Sequence, residues 1–314
     1  MNSMTDLYPS RNGSAETILP RHDPVVYPDP FPDSPYGLTD SQLESYEEDG
    51  FIILPNYVPE LVEPLLAEKD RLARELDGQE ELYTEPDSDE LRTLFKPFAF
   101  SELIDRVSRD PRILHPVQQL LGSRAYLMQS RINVKPAFKG KAFPWHSDFE
   151  TWHVEDGMPR MRALTAWIML TENHPDNGPL MVMPGSHKHY ISCTGRTGAE
   201  NYRTSLKKQV LGVPSKETMK EVAQTHPVAG IYGKPGTLVI HECNLLHGSE
   251  DNSSPDPRTV LMFVYNSIEN RPVSPYGGQK PRPHYLASRD TSPLKPLECP
   301  ISVKEEAAIA GAIA

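Results

Sequence analysis

At 314 residues, with 38% hydrophobic and 24% charged residues, the chain has the composition of a soluble globular protein of one large domain or two small ones. A net charge of −11 without any basic stripe argues against nucleic acid as a partner, and no apolar stretch is long enough to cross a membrane. The three cysteines, Cys193, Cys243 and Cys299, are too sparse for a disulfide framework; with no charged-then-apolar signal segment at the start, they point to a reducing cytoplasm.

Residues 1–35 are polar and Pro-rich, which predicts a mobile N-terminal segment. Thr39 or Asp40 caps a helix that runs to Asp49 and ends at Gly50, and Phe51 to Pro55 then reads as a strand. Val58, Leu61, Val62, Leu65, Leu72 and Leu76 recur at helical spacing, with Pro64 predicting a break or kink inside that stretch. A short helix follows over 111–121, and from 124 onward strands separated by turn residues dominate. The 32 prolines cluster near the N-terminus and in 271–300, where they mark extended connections. Many short strands after a helical part, with no repeat and no heptad series, predict a mainly β fold: a double-sheet jelly roll with flanking helices on one face. The expected division is a single domain over 36–300 and a C-terminal tail over 301–314.

The chemistry is concentrated in Phe143-Pro144-Trp145-His146-Ser147-Asp148 and in His247-Gly248-Ser249. A His-x-Asp pair with a distant His is the sequence form of the two-histidine, one-carboxylate facial triad, which holds Fe(II) on one face and leaves the opposite face open. In a strand, residues i and i+2 share a side, so His146 and Asp148 are expected to project together, with His247 arriving from another strand 99 residues after Asp148. Zn(II) could bind the same set, and only the wider context argues against it. That context is the apolar run Gly236 to Ile240 before His247, the turn–strand–turn segment Asn177 to His187, and Arg258 eleven residues after His247, ahead of the strand-like run Thr259 to Tyr265. His153, His187 and His189 fall outside the triad. His153 is odd-spaced from His146, and His187 sits in a turn that it organises. Cys243 reads as a packed thiol rather than a ligand.

This order of elements resembles the Fe(II)/2-oxoglutarate dioxygenases of the phytanoyl-CoA dioxygenase type, which have a cupin-like double-stranded β-helix core. The Gly-Pro-Leu turn at 178–180, the Pro-Gly-Ser-His turn at 184–187, the distal His247 and the later Arg258 carry the resemblance. The unbroken run from Phe143 to Ala163 resembles the signature of the ectoine hydroxylases, and the likeness extends over roughly residues 36 to 290. Two places depart from the pattern: Leu164-Thr165, where a Ser is expected second, and His241-Glu242, where the family more often has Phe-Asp.

The resemblance implies an enzyme that uses Fe(II), 2-oxoglutarate and O2 to hydroxylate L-ectoine to 5-hydroxyectoine, a compatible solute of osmotic stress, with release of succinate and CO2. Asp148 points to hydroxylation, since related halogenases put a small residue at this carboxylate so that halide can bind. The far carboxylate of 2-oxoglutarate needs a cation, and Arg258 suits it because a guanidinium can grip a carboxylate with two parallel hydrogen bonds. Ser249 or Thr259 could add a hydroxyl, Phe143 a wall, and by resemblance Lys135 also binds the co-substrate. For the zwitterion ectoine, Trp152 would offer an aromatic face to the delocalised cation, and Gln129 lies where the family contacts ectoine. Phe263 and Arg282 are the remaining substrate candidates, as pocket wall and carboxylate partner; core packing and solvent exposure are their ordinary roles. A homodimer is also implied. Two other readings stand beside this one: a related dioxygenase acting on another small amino-acid-like molecule, and a non-catalytic metal-binding jelly-roll sensor.

Overall fold

Strand and helix alternate in hydrophobic pattern along this chain, and the pattern decides which side of each sheet is covered. The computed structural model describes residues 5–28, 32–85 and 88–302. The N-terminal half contains β1 (Thr17–Pro20), α1 (Asp40–Asp49), β2 (Phe51–Leu54), α2 (Val62–Glu75), β3 (Leu82–Thr84), β4 (Leu91–Phe95), α3 (Glu102–Ser108), α4 (Pro111–Leu121), β5 (Ala125–Lys135), β6 (Phe143–His146) and α5 (Asp148–Thr151). The remainder contains β7 (Ala163–Met169), β8 (Leu180–Val182), β9 (His189–Ser192), α6 (Tyr202–Ser205), α7 (Lys216–Val222), β10 (Ala229–Ile231), β11 (Leu238–Glu242), β12 (His247–Ser249) and β13 (Arg258–Ser267).

The start and stop signals of the first helix hold. Thr39 Oγ1 accepts from the Gln42 backbone N–H at 3.3 Å while the Gln42 side chain accepts from the Thr39 N–H at 2.9 Å, a reciprocal cap that starts α1. Gly50, at φ 82°, ends it. Pro64 neither breaks nor ends its helix. It is the third residue of α2, in the first turn behind the short 3-10 turn Pro59–Leu61, where the missing N–H costs least.

The strands form a seven-stranded antiparallel sheet in the order β2-β11-β7-β13-β5-β4-β3 and a four-stranded antiparallel sheet in the order β10-β8-β12-β6. This is the expected jelly roll. The larger sheet is covered on both faces, so β13 is buried along its whole length and reads as a continuous apolar run rather than an alternating one. On one face Ile168, Ile240, Leu261 and Phe263 pack with Leu65, Leu72, Ile113 and Val117 from α2 and α4. On the other face Trp167, Val239, Val260 and Met262 pack with Val182 and Ile231 from the smaller sheet. The helices therefore lie outside the sandwich, and the interior between the sheets is shared by this apolar layer and the site.

The N-terminal segment is a correction. Composition predicts that residues 1–35 are mobile, but residues 5–28 form a strap laid across the domain. β1 pairs with β9 in a small two-stranded sheet, Tyr8 is wholly buried against Phe149 and Tyr190, and Arg21 pairs with Glu242 at 3.1 Å. The segment looks disordered in sequence because its few ordering groups are scattered, and each finds its buried partner far away in the chain. Residues 1–4, and the part of the C-terminal tail over 303–314, lie outside the described residues. Among the described residues no helix is long and apolar enough to cross a membrane.

Candidate functional site

The two imidazoles of the triad come from neighbouring strands. β12 pairs with β6 so that His247 stands opposite His146, with ring centroids 4.2 Å apart. Asp148 arrives otherwise than the strand spacing predicts. β6 stops at His146, and Asp148 is the first residue of α5, so the pair straddles a strand-to-helix turn instead of sharing one strand face. The turn is held by Ser147 Oγ, which donates to Asn244 Oδ1 at 2.8 Å, and by the Phe149 N–H, which donates to the Cys243 carbonyl at 2.8 Å. Convergence survives the change. Asp148 Oδ1 lies 3.6 Å from His146 Nε2 and Oδ2 lies 3.9 Å from His247 Nε2. One ligand atom from each residue falls within 4.8 Å of the other two, and all three side chains are buried.

The hydrogen bonds around the triad prepare it for a cation. Nδ1 of His146 lies 2.9 Å from the Pro144 carbonyl, and Nδ1 of His247 lies 2.9 Å from the Leu245 carbonyl. A carbonyl only accepts, so both Nδ1 atoms carry a proton, and it is the neutral form of each ring that offers an Nε2 lone pair to a metal. Burial, with His146 beside it, pushes the His247 imidazolium down to about 3, so the ring is neutral, as a ligand must be. Burial opposes the charge on Asp148, but His146, His241, His247 and Arg131 around it hold its carboxyl well below the usual range. Its Oδ2 is buried without a hydrogen-bond partner among the described residues. A buried ionised carboxylate beside two aimed lone pairs is unstable without a cation. Two imidazoles and one carboxylate fit Fe(II).

The triad opens into a cavity between the sheets. β5 lines it with Gln129, Arg131, Asn133 and Lys135, alternate residues of the strand, joined by Val134 near its end, and β13 adds Arg258 and Met262. Lys135 and Arg258 are direct cross-strand partners, and both are buried. Burial and the neighbouring Arg258 charge push the Lys135 ammonium down to about 7, and burial lowers Arg258 to about 10. Lys135 Nζ donates to the Glu250 carbonyl, while Arg258 Nε has no partner among the described residues. Two adjacent buried cations of this kind call for an anion. Ser249 and Phe143 line the same cavity, the Phe143 ring meeting His146 edge-on with centroids 4.8 Å apart.

The substrate candidates divide. Trp152 lines the cavity from a π turn, Trp152–Asp156, that continues α5. The turn closes at Gly157, at φ 80°, where any Cβ would collide with the Val273 carbonyl. Gln129 lines the cavity with its amide fixed by donation from Nε2 to the Leu286 carbonyl at 2.6 Å. Arg282 also lines it, but its guanidinium is engaged by both oxygens of Asp156, so it is neither solvent-exposed nor a free cation. Phe263 is a correction: it does not reach the cavity. Met262 faces the cavity, so alternation turns Phe263 to the helix-covered face, where it is fully buried in the core. Thr259, next to Arg258, is likewise absent from the lining.

His153 has a structural position, with Nδ1 against the Met158 carbonyl, Nε2 against Asp6 and the ring stacked on Tyr276. His187 places Nε2 3.2 Å from the Glu47 carbonyl, organising its turn. Cys243 is fully buried, burial pushing its thiol far above the usual range, and it lies outside the triad. Sequence reading missed three groups. Arg131 is a cation of the cavity wall, and counting back by twos from Lys135 would have found it. Arg11 lies 1% exposed between Glu150 and Glu155, its Nε donating to Glu150 Oε1 at 2.9 Å, and no local signal announces that contact. His241 stands beside Asp148 at 3.8 Å.

Residues 46–260 match the profile of the Phytanoyl-CoA dioxygenase (PhyH) family. The chain belongs to that family. Its relatives include the ectoine dioxygenase of Bordetella bronchiseptica, 46% identical over 298 residues that cover 93% of this chain and 96% of the relative. Among solved structures, EctD from S. alaskensis with 2-oxoglutarate and 5-hydroxyectoine superposes with a TM-score of 0.84 at 41% identity, covering 94% of this chain and 99% of that one. The same protein with bound Fe gives 0.82 at 39% identity, with the same coverage of both chains. The fold expectation is thereby met, and the chain is similar throughout to iron- and 2-oxoglutarate-binding proteins.

Proposed function

We propose that the chain hydroxylates L-ectoine to 5-hydroxyectoine, consuming 2-oxoglutarate and O2 and releasing succinate and CO2. The observation that carries this is the meeting, in one cavity, of a cation-ready His146–Asp148–His247 triad with the buried pair Lys135 and Arg258 and the indole of Trp152. When bound, Fe(II) with its co-substrates supplies the oxidant that replaces a C–H bond by C–OH. His146 and His247 would hold the metal through Nε2 and Asp148 through its carboxylate, each ring oriented by its Nδ1–H to a backbone carbonyl.

Arg258 donates to the far carboxylate of 2-oxoglutarate, Lys135 adds charge beside it, and Ser249 and Phe143 complete that end of the cavity. Trp152 presents its face to the delocalised cation of ectoine. Arg131, with Asp148 the carboxylate acting on its charge, is placed to attract the substrate carboxylate. Gln129, its amide fixed by Leu286, contacts the polar edge of the ring, and Arg282, held by Asp156, closes the wall. The reading takes residues 36–300 as one catalytic domain and extends to a homodimeric, cytoplasmic enzyme, which light scattering and cell fractionation test.

The deciding experiment is an aerobic incubation with Fe(II), 2-oxoglutarate and L-ectoine in which 5-hydroxyectoine and succinate are quantified together, with a control lacking ectoine. Coupled formation of both is expected. Succinate at one slow rate with or without ectoine would keep the dioxygenase and transfer the assignment to another small amino-acid-like substrate.

A further inference from the structure

His241 is outside the triad yet inside the same buried knot of side chains. It stands on β11, 1% exposed, with Nε2 3.8 Å from Asp148 Oδ2 and its ring centroid 5.2 Å from that of His247. On its other side, Nδ1 lies 3.1 Å from Nε1 of Trp167 on the neighbouring strand β7. An indole N–H can only donate, so His241 Nδ1 holds the lone pair and the neutral ring carries its proton on Nε2. A protonated nitrogen is no metal ligand, so Trp167 excludes His241 as a fourth ligand and makes it a donor. The acceptor it faces also lacks a partner: both His241 Nε2 and Asp148 Oδ2 are buried without a hydrogen bond among the described residues.

Resting on the reading of His146, Asp148 and His247 as iron ligands, we infer that His241 is a positioning residue. Its Nε2–H, set by Trp167, donates to the Asp148 oxygen that does not ligate the metal and fixes the rotation of that carboxylate. The present gap of 3.8 Å exceeds hydrogen-bond range, so the inference requires the carboxylate to turn toward Nε2 once the metal is bound. An unanchored carboxylate can rotate or grip a cation with both oxygens. An anchored one offers a single oxygen and leaves the remaining positions to the co-substrates.

The test uses the metal-stripped full chain and Co(II) alone, followed by its d–d absorption, so that no turnover enters the result. His241→Phe keeps the ring shape without the donor, and His241→Gln places an amide N–H near the former Nε2. The Phe variant is expected to bind Co(II) about tenfold more weakly, the scale on which outer hydrogen bonds to ligands act. The Gln variant should recover most of the loss, with band positions alike in all three proteins. Unchanged affinity in the Phe variant, no recovery in the Gln variant, or a shifted spectrum showing that His241 had been a ligand would each overturn the inference. Failure of the unsubstituted chain to give Co(II) bands would remove the triad reading itself. If the Phe variant does not fold, imidazole 15N shifts of the unsubstituted Zn(II)-loaded chain decide. An Nε2–H tautomer for His241 supports the inference, and an Nδ1–H tautomer or a metal-bound Nε2 overturns it.

Discussion

Replacing Arg11 by alanine should be the most damaging single change outside the cavity. The guanidinium bridges Glu150 and Glu155, and the three side chains are between 1% and 3% exposed. It also donates to the Thr151 hydroxyl at 3.1 Å, so most of the guanidinium's donors are spent on the turn that follows Asp148, with one further contact to Thr197. Removing one partner of a buried ion pair costs about 3–5 kcal/mol, because the remaining charge is left desolvated and unpaired. Here two carboxylates are abandoned at once, so the loss should fall at the upper end of that range. Urea unfolding followed by circular dichroism, with linear extrapolation to water, measures it. The triple variant Arg11→Met, Glu150→Gln, Glu155→Gln should recover more than half of the loss, since no buried charge then lacks a partner. A loss below about 1 kcal/mol for Arg11→Ala, the size of an exposed pair, would refute the argument. It would mean that water reaches Glu150 and Glu155 whether or not the strap is docked.

The other expectations concern the cavity. His146→Ala, Asp148→Ala and His247→Ala should each abolish turnover and most iron binding; a near-normal rate in any of them would strike that residue from the triad. Trp152→Ala should impair ectoine binding while leaving 2-oxoglutarate binding to the Fe(II) protein intact, and equal loss of both would make Trp152 structural. Lys135 has a depressed ammonium, lowered from the ordinary value of 10.5 to about 7. The unfolded chain therefore holds that proton to higher pH than the folded one, so this group's contribution to stability is lost as pH falls from the unfolded value through 7. A bound dicarboxylate reverses the balance. 2-Oxoglutarate binding should take up about one proton above neutral pH and weaken as pH rises toward about 9. Calorimetry in buffers of different ionisation enthalpy checks this, and zero proton uptake would place the co-substrate away from Lys135.

Much of this molecule could be read from local pattern, and what escaped is non-local. Helix α1 announces itself because Thr39, Gln42 and Gly50 act within one turn of their own positions. The triad was legible because its residue types are rare in that spacing, although the strand predicted to carry Asp148 ends two residues early, where Ser147 and Phe149 are drawn toward the turn before β12. Phe263 was misplaced by one step of a period-2 alternation. A strand buried on both faces gives no polar residue to mark which side is which. Arg11 was invisible because its contacts with Glu150 span 139 residues of sequence. His241 reads in the sequence only as a departure from the family pattern, because only the fold brings it beside Trp167 and Asp148.

The distribution of the site between the two sheets has a mechanical consequence. His146 and His247 belong to the four-stranded sheet, whereas Lys135 and Arg258 belong to the seven-stranded one. A metal alone ties together only β6, β12 and the start of α5. On the proposed reading, a co-substrate held by the metal at one end and by Arg258 at the other would span the sandwich, and so act as a cross-brace between layers that otherwise meet mainly through apolar side chains. Metal and 2-oxoglutarate together should therefore stiffen the whole barrel mouth, slowing amide exchange in β5 and β13 as well as in the ligand strands, where metal alone would protect only the latter.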